Sequence, residues 1–477
     1  MSGEEKMERK EAELELLKKK KRSHRRRNHD ERDLQEIVGE LGPNTYRVLA
    51  LLGVGSQGRV YLVQLKDTEE LFAMKVFRKD KIICNTKTTR SILTEHRFLA
   101  TANHPFITTL YNSFQSPERL FMIMEYCPGG ELFTTIKKQP GGRLTEEQVR
   151  FYASEVVLVL EYIHSKGYIY RDLKPENILL HLDGHIRMAD FGLSKQGERP
   201  SVALVARREK RKSIFVKQKT TVELCTGEVL RTNSLVGSVH YLAPEVLVSA
   251  ANEGYDAMAD WWAFGVLLYD MLYGFPPFQG RTNEDVIMKI VSCEYTFPSD
   301  IPASHDIKSL IKGLLKLDAK KRLCSKHGAN DVKKHPFFEG EHWGLLRNRA
   351  PPIIPKIISP DDTSNFIIYE EDEDSVDFEF FSELDEDATI IASEDQAKFE
   401  EFTFASEEFQ GMLKKHKSQL LPRKKRHHRR RHKKSSRSSR SKDADSKSSE
   451  PAKEETPTED DEEVNDEEVN DEEVNDE

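Results

Sequence analysis

Eight residues near the middle of the chain, Tyr170-Arg171-Asp172-Leu173-Lys174-Pro175-Glu176-Asn177, have the types and spacing that phosphoryl transfer requires. An acid five residues ahead of an asparagine lets one carboxylate accept a hydroxyl proton while the amide oxygen reaches a metal ion. Lys174 between them offsets the charge of a moving phosphate. Standing alone, the octapeptide is more simply a polar turn after the apolar run 156–163. Its neighbours decide otherwise. Asp190-Phe191-Gly192 places another carboxylate 18 residues after Asp172. There it supplies a metal ligand beside Asn177, and Mg²⁺ keeps its remaining positions for water and phosphate oxygens.

The elements that position these groups follow from periodicity and punctuation. Residues 46–52 and 59–65 read as two strands around Gly53-Val54-Gly55-Ser56-Gln57-Gly58. Glycines in such a loop let backbone amides approach a triphosphate, and Val60 on the returning strand covers a flat base. The strand 71–77 carries Ala73-Met74-Lys75, a lysine among apolar residues that needs a carboxylate partner if buried. Glu95 lies in the helical segment 88–100; its pairing with Lys75 is what the family resemblance given below implies, with a purely structural ion pair as the alternative. After the apolar strand 120–126, Cys127-Pro128-Gly129-Gly130 breaks the pattern and reads as a hinge between two lobes. Extended backbone there offers the carbonyl of Glu125 and the amide of Cys127 to an adenine edge, with Met124 limiting the back of the pocket. Thr145 and Gln148 form a capping box for a long helix over 149–164. A short hairpin around Asp183-Gly184 connects the two loops.

Composition bounds the rest. The 477 residues are 37% hydrophobic with a net charge of −9, but apolar runs concentrate between residues 46 and 338 and charge dominates both ends. About 290 residues suit one two-lobed enzyme. Five cysteines without a C-x-x-C pair fit reduced thiols. The absence of an apolar leader or a long apolar run predicts an intracellular protein that neither is secreted nor spans a membrane. Residues 18–27 are all Lys or Arg except Ser23 and His24. Such an arm is simply solvated, or attracts nuclear import factors, nucleic-acid phosphates or anionic lipid. The basic arms lack interleaved aromatics, so specific nucleic-acid binding is not expected.

Taken together, Gly53-x-Gly55-x-x-Gly58-x-Val60, Lys75, Glu95, the Arg171-Asp172 loop, Asp190-Phe191-Gly192, Ala243-Pro244-Glu245, Asp260 and Arg322 resemble eukaryotic protein kinases. The resemblance implies an α+β bilobal fold, with a small β-rich lobe and a larger, mainly helical one; the charged composition of the termini predicts that they are disordered. It implies ATP and Mg²⁺ as cofactors. Asp172, Lys174, Lys75 and Glu95 would be catalytic, and Asn177 and Asp190 would hold metal. ATP would contact Leu52, Gly53, Val54, Gly55, Ser56, Gln57, Gly58, Arg59, Val60, Ala73, Lys75, Glu125, Cys127 and Leu179. Lys174 and Gly237-Ser238 look like the serine/threonine type.

Met124-Glu125-Tyr126, Tyr170-Arg171-Asp172 and His335-Pro336-Phe337-Phe338 are similar to the AGC group. Pro352 to Pro355 and Asp362-Thr363-Ser364-Asn365-Phe366 to Tyr369 resemble the tail of cyclic-AMP-dependent kinase that wraps the small lobe, in which Phe366 would close the adenine pocket. Phe399-x-x-Phe402-Thr403-Phe404 resembles the hydrophobic motif that docks back on the small lobe. Within the group, Arg231-Thr232-Asn233-Ser234 and the 347–352 run resemble phototropin kinase domains and fungal flippase kinases, which also carry an insertion like the one at about 193–232. Asp-Phe-Gly stands where that branch often has Asp-Phe-Asp.

The expected organisation is a basic arm over 1–45, a kinase domain over 46–338, a tail over 339–404, and a basic then acidic low-complexity segment over 405–477. Glu131, Glu176 and Asp270, with Ser238, would face the peptide and favour protein substrates with Arg or Lys two or three residues before the target. Ser234, with Arg231 three residues before it, and Thr403 are the expected regulatory phosphosites, modified by an upstream kinase or by the enzyme itself. A kinase-fold scaffold without turnover is the alternative reading.

Overall fold

The computed structural model describes residues 41–55, 58–196, 239–248, 256–367 and 390–420. The loop-tip residues Ser56 and Gln57 lie outside these, as do Ser234, Ser238, most of the 193–232 insertion, the basic arm before residue 41, and the charged tail beyond 420.

The first lobe is an antiparallel sheet of β1 (Tyr46–Val54), β2 (Arg59–Leu65), β3 (Leu71–Arg78), β4 (Leu110–Gln115) and β5 (Arg119–Met124), in spatial order β1-β2-β3-β5-β4. The glycine turn joins β1 to β2, closed by the Gly55 amide donating to the Gly58 carbonyl at 2.8 Å. A Cβ on Gly58 would stand 2.2 Å from the Val76 carbonyl oxygen, so only glycine lets β2 lie this close to β3. Helix α1 (Thr86–Thr101) begins where the Asn85 side chain accepts from the amides of Lys87 and Thr88. It turns Ile92, Glu95, His96, Phe98 and Leu99 inward.

The second lobe is helical. α2 (Leu132–Lys138) follows the hinge, and α3 (Glu146–Ser165) begins at the capping box of Thr145 and Gln148 that the sequence announces. α4 (Met258–Tyr273) is apolar almost all round, and with the buried face of α3 it forms the centre of this lobe. α5 (Asn283–Ser292) and α6 (His305–Leu314) pack outside them. Gly265 lets Leu314 come within 2.8 Å of where its Cβ would be. Between the lobes lie the two-stranded ladders of β6 (Tyr168–Ile169) with β9 (Lys195–Gln196), and β7 (Ile178–Leu180) with β8 (Ile186–Met188).

The chain then returns to the first lobe. Residues 351–367 run along the hinge, and β10 (Phe404–Ala405) pairs antiparallel with the edge strand β4, Phe404 opposite Ser113. Phe399 and Phe402 are fully buried. The boundary expected at residue 404 does not end the ordered chain. Residues 407 onward form α7 (Glu407–Leu420), with Phe409 and Leu413 at 0% exposure. The spacing of Phe409, Met412 and Leu413 makes a narrow apolar stripe that the surrounding charge conceals in the sequence. Among the described residues no helix is long and apolar enough to cross a membrane.

Candidate active site

The loop 170–177 is held from below by one buried acid. Asp260, on α4, accepts the backbone amides of Tyr170 at 2.9 Å and Arg171 at 2.7 Å, and His164 Nε2 lies 2.7 Å from the same carboxylate. Arg171 stands at φ +69°, a left-handed conformation that this pairing stabilises. Above it, Asp172 Oδ2 accepts from Lys174 Nζ at 2.9 Å and from Asn177 Nδ2 at 2.7 Å. Asn177 Nδ2 also donates to the Asp172 carbonyl, which fixes the plane of its amide. The expected acid, lysine and asparagine are therefore one hydrogen-bonded unit.

Lys75 Nζ reaches Glu95 Oε1 at 2.8 Å and Asp190 Oδ1 at 3.3 Å, so β3, α1 and the Asp-Phe-Gly loop meet at one ammonium. Burial pulls the Lys75 ammonium down, but the carboxylates of Asp190 and Glu95 outweigh it and hold the lysine charged. Lys75 in turn draws the Asp190 carboxyl below its usual range against the opposing effect of burial. Phe191 stacks on Phe98 of α1 with ring centroids 4.5 Å apart and meets Tyr170 edge-on at 5.1 Å. The helix that carries Glu95 thus leans on both loops.

These groups open into a cleft of about 660 Å³ between the lobes, of the size expected for a nucleotide-like ligand. Leu52, Gly53, Gly55, Gly58, Val60, Ala73, Glu125, Cys127, Leu179 and Phe366 line it. Val54 and Arg59 pair with each other across the glycine turn, at the rim. The Glu125 carboxylate turns to Arg187 Nε at 2.9 Å, leaving the backbone to border the cleft. Phe366 stacks on Tyr126 at 6.0 Å, and the Tyr126 hydroxyl donates to the Asp362 carbonyl at 2.6 Å. The tail passes so close to the hinge that a Cβ on Gly130 would stand 2.5 Å from the Asn365 oxygen.

Residues 46–338 match the protein kinase domain family. The chain belongs to the protein kinase family. It is 46% identical over 327 residues to flippase kinase 1 of Saccharomyces cerevisiae, covering 69% of this chain and 35% of that protein. It is 42% identical over 358 residues to the serine/threonine-protein kinase nrc-2 of Neurospora crassa, covering 74% and 56%. To phototropin-1A of Oryza sativa subsp. japonica it is 43% identical over 326 residues, covering 67% and 35%. The aligned part of this kinase thus spans between 35% and 56% of these three relatives' lengths. They are AGC-group kinases of the branch that its motifs resemble.

Three acids stand near one another here, Glu131, Glu176 and Asp270. Glu131 precedes α2 and lines the cleft beside Glu176. Burial and the neighbouring Glu176 carboxylate push the Glu131 carboxyl up. Burial likewise raises Glu176, with Asp172 and Asp270 adding to it. Asp270 accepts a short hydrogen bond from the Tyr241 hydroxyl, and burial raises its carboxyl too. Among the described residues, Glu176 Oε2 is buried with no hydrogen-bond partner.

Sequence reasoning named Asp260, Tyr126 and the hinge glycines without their partners. The Asp362 carbonyl on Tyr126, Asn365 over Gly130, and the contact of Lys79 Nζ with Gln396 Oε1 at 2.6 Å join residues more than 230 positions apart. Local spacing carries no signal of such pairs.

Proposed function

We propose that this chain transfers the γ-phosphoryl group of ATP to serine or threonine hydroxyls of protein substrates that carry arginine or lysine two or three residues before the target. The observation that carries the specificity is the cluster of Glu131, Glu176 and Asp270 with its unpartnered oxygen. A buried carboxylate oxygen without a donor costs free energy, and an arginine fork is the donor that matches it.

The catalytic unit supports the same reading. Asp172 stands where a substrate hydroxyl would approach, to orient it and take its proton. Lys174, fixed on Asp172, offsets charge on the moving phosphoryl group, and Lys75, fixed by Glu95, binds the α and β phosphates. The donor set suits Mg²⁺. Asp190 is held anionic, and Asn177 commits its nitrogen to the loop, which leaves an amide oxygen as the hard ligand atom. The metal, when bound, neutralises phosphate charge; the chain's own groups orient the reactants.

Phosphorylation of Ser234 and Thr403 regulates this activity in our reading. Arg231 stands three residues before Ser234, so the enzyme's own preference suits that site. Thr403 is exposed between buried Phe402 and β10. The test is Mg·ATP phosphorylation of an oriented serine peptide library by the wild type and by Asp172→Asn. Arginine selection two or three residues before the serine is expected, with turnover of the variant lower by on the order of 10² to 10⁴. Near-normal turnover of the variant would overturn the assignment of Asp172, and acidic or proline-directed selection would overturn the substrate class.

A further inference from the structure

Ala73 and Lys75 of β3 line the cleft, so the alternating Phe72 faces the other side of the sheet. That side is aromatic. Tyr46 meets Phe72 at 6.4 Å and stacks on Phe114 at 6.0 Å, and Tyr111 meets Phe72 at 5.4 Å. Helix α7 seats Phe409 on this surface, 6.0 Å from Phe72, with Leu413 one turn further on, both fully buried. The entry to α7 is fixed as well. The Ser406 amide donates to the Tyr111 carbonyl at 2.9 Å, the Ser406 hydroxyl accepts from the Phe409 amide, and Gln410 Nε2 donates to the Ala405 carbonyl.

The segment so anchored is β10, and a short path leads from β10 to the helix that carries Glu95. Ser113, opposite Phe404, donates its hydroxyl to the Phe402 carbonyl at 2.6 Å. His96 Nε2 lies 2.9 Å from the same hydroxyl, and the His96 ring stacks on Phe402 at 4.4 Å. His96 adjoins Glu95, the partner of Lys75. We propose that Phe409 and Leu413 form a second anchor of the tail, on the face of the sheet turned away from the cleft. Through β10, Ser113 and His96 this anchor positions Glu95. The two are positioning residues and touch no substrate. The kinetic part of the proposal rests on the phosphotransfer reading above.

The test uses the full chain with Phe409→Ala/Leu413→Ala, and Lys414→Ala/Lys415→Ala as a control on the exposed side of the same helix. Three readouts are compared: amide hydrogen exchange at residues 404–406, kcat and KM for ATP, and rescue by an added peptide of residues 390–420. The anchor variant should exchange at least tenfold faster at Ala405 and Ser406. It should lose about tenfold in kcat, raise KM for ATP several-fold, and regain activity with the peptide, while the control stays at wild-type values. Unchanged exchange overturns the anchor. Faster exchange with unchanged kcat and no rescue overturns the positioning role and leaves α7 a structural cover. An inactive wild type defeats the phosphotransfer reading alone, since exchange at 404–406 still decides the anchor. If the double variant does not fold, Leu413→Ala alone is read by the same exchange criterion.

Discussion

Asp260 accepts the Arg171 backbone amide at 2.7 Å, and Arg171 is held at φ +69°. A left-handed residue other than glycine costs roughly 1–2 kcal/mol, so the carboxylate beneath it maintains the turn that presents Asp172. Asp260→Asn replaces an acceptor with a group that is half donor, facing two amides and His164. Leaving one buried donor unpaired costs about 1–3 kcal/mol. We expect a melting temperature lower by several degrees together with a loss of turnover larger than the fraction unfolded explains. A variant with wild-type melting and turnover would show that the loop holds its shape without Asp260.

Two glycines separate backbone strain from tail contact. Gly130 and Gly142 stand at φ +66° and +65°, but only at Gly130 would a Cβ meet the tail, 2.5 Å from the Asn365 oxygen. Both alanine variants should lose stability on the order of 1 kcal/mol from the left-handed backbone, with Gly130→Ala losing more through the clash. Only Gly130→Ala should also push residues 362–366 off the hinge and weaken nucleotide affinity several-fold, read by titration with an ATP analogue. Equal affinities in the two variants would mean that the strap does not shape the adenine end.

What the sequence made legible is what acts over short spacing. Thr145 and Gln148 cap α3 as their separation by three residues demands, and the half-buried lysine of the strand Ala73-Met74-Lys75 has the carboxylate partner its apolar neighbours call for. The cleft residues follow because glycine spacing and the Asp172 to Asn177 interval are local geometry. The tail was legible only in part. The three phenylalanines of 399–404 stand out, whereas Phe409 and Leu413 sit among Glu and Lys and make a stripe of two or three positions. β10 is two residues long, too short to leave a period. Gln396 and Lys79 are 317 residues apart, and nothing in either neighbourhood names the other.

His96 makes the stability of the fold sensitive to acid. Burial pushes its imidazole down to about 4, with Arg97 adding to the effect, so the folded chain keeps it neutral. In the unfolded chain its pKa is the ordinary 6.5 or so. Between those values the unfolded state binds the extra proton, so stability is present in full above about 6.5 and is lost as pH falls towards 4. His104, also pushed down to about 4 by burial, contributes in the same window. Comparison with His96→Gln isolates the His96 part. Denaturant unfolding from pH 7 to 4.5 should show a shallower loss in the variant, and parallel curves would remove His96 from the account.

The acid cluster offers a specificity test that leaves chemistry intact. Glu176→Gln keeps the shape of the side chain but removes the charge beside Glu131 and Asp270, and so removes the reason an arginine fork would enter. A charge-assisted hydrogen bond contributes roughly 1.5–3 kcal/mol, so kcat/KM for an arginine-containing serine peptide should fall about 10- to 100-fold. For the same peptide with arginine replaced by alanine it should hardly change. Because burial raises the Glu176 carboxyl, the wild type should also lose arginine preference on acidification, since the protonated acid no longer pairs with guanidinium. The variant should show no such pH dependence from this group. A Glu176→Gln enzyme that still prefers arginine by the wild-type ratio would place the arginine site elsewhere in the groove.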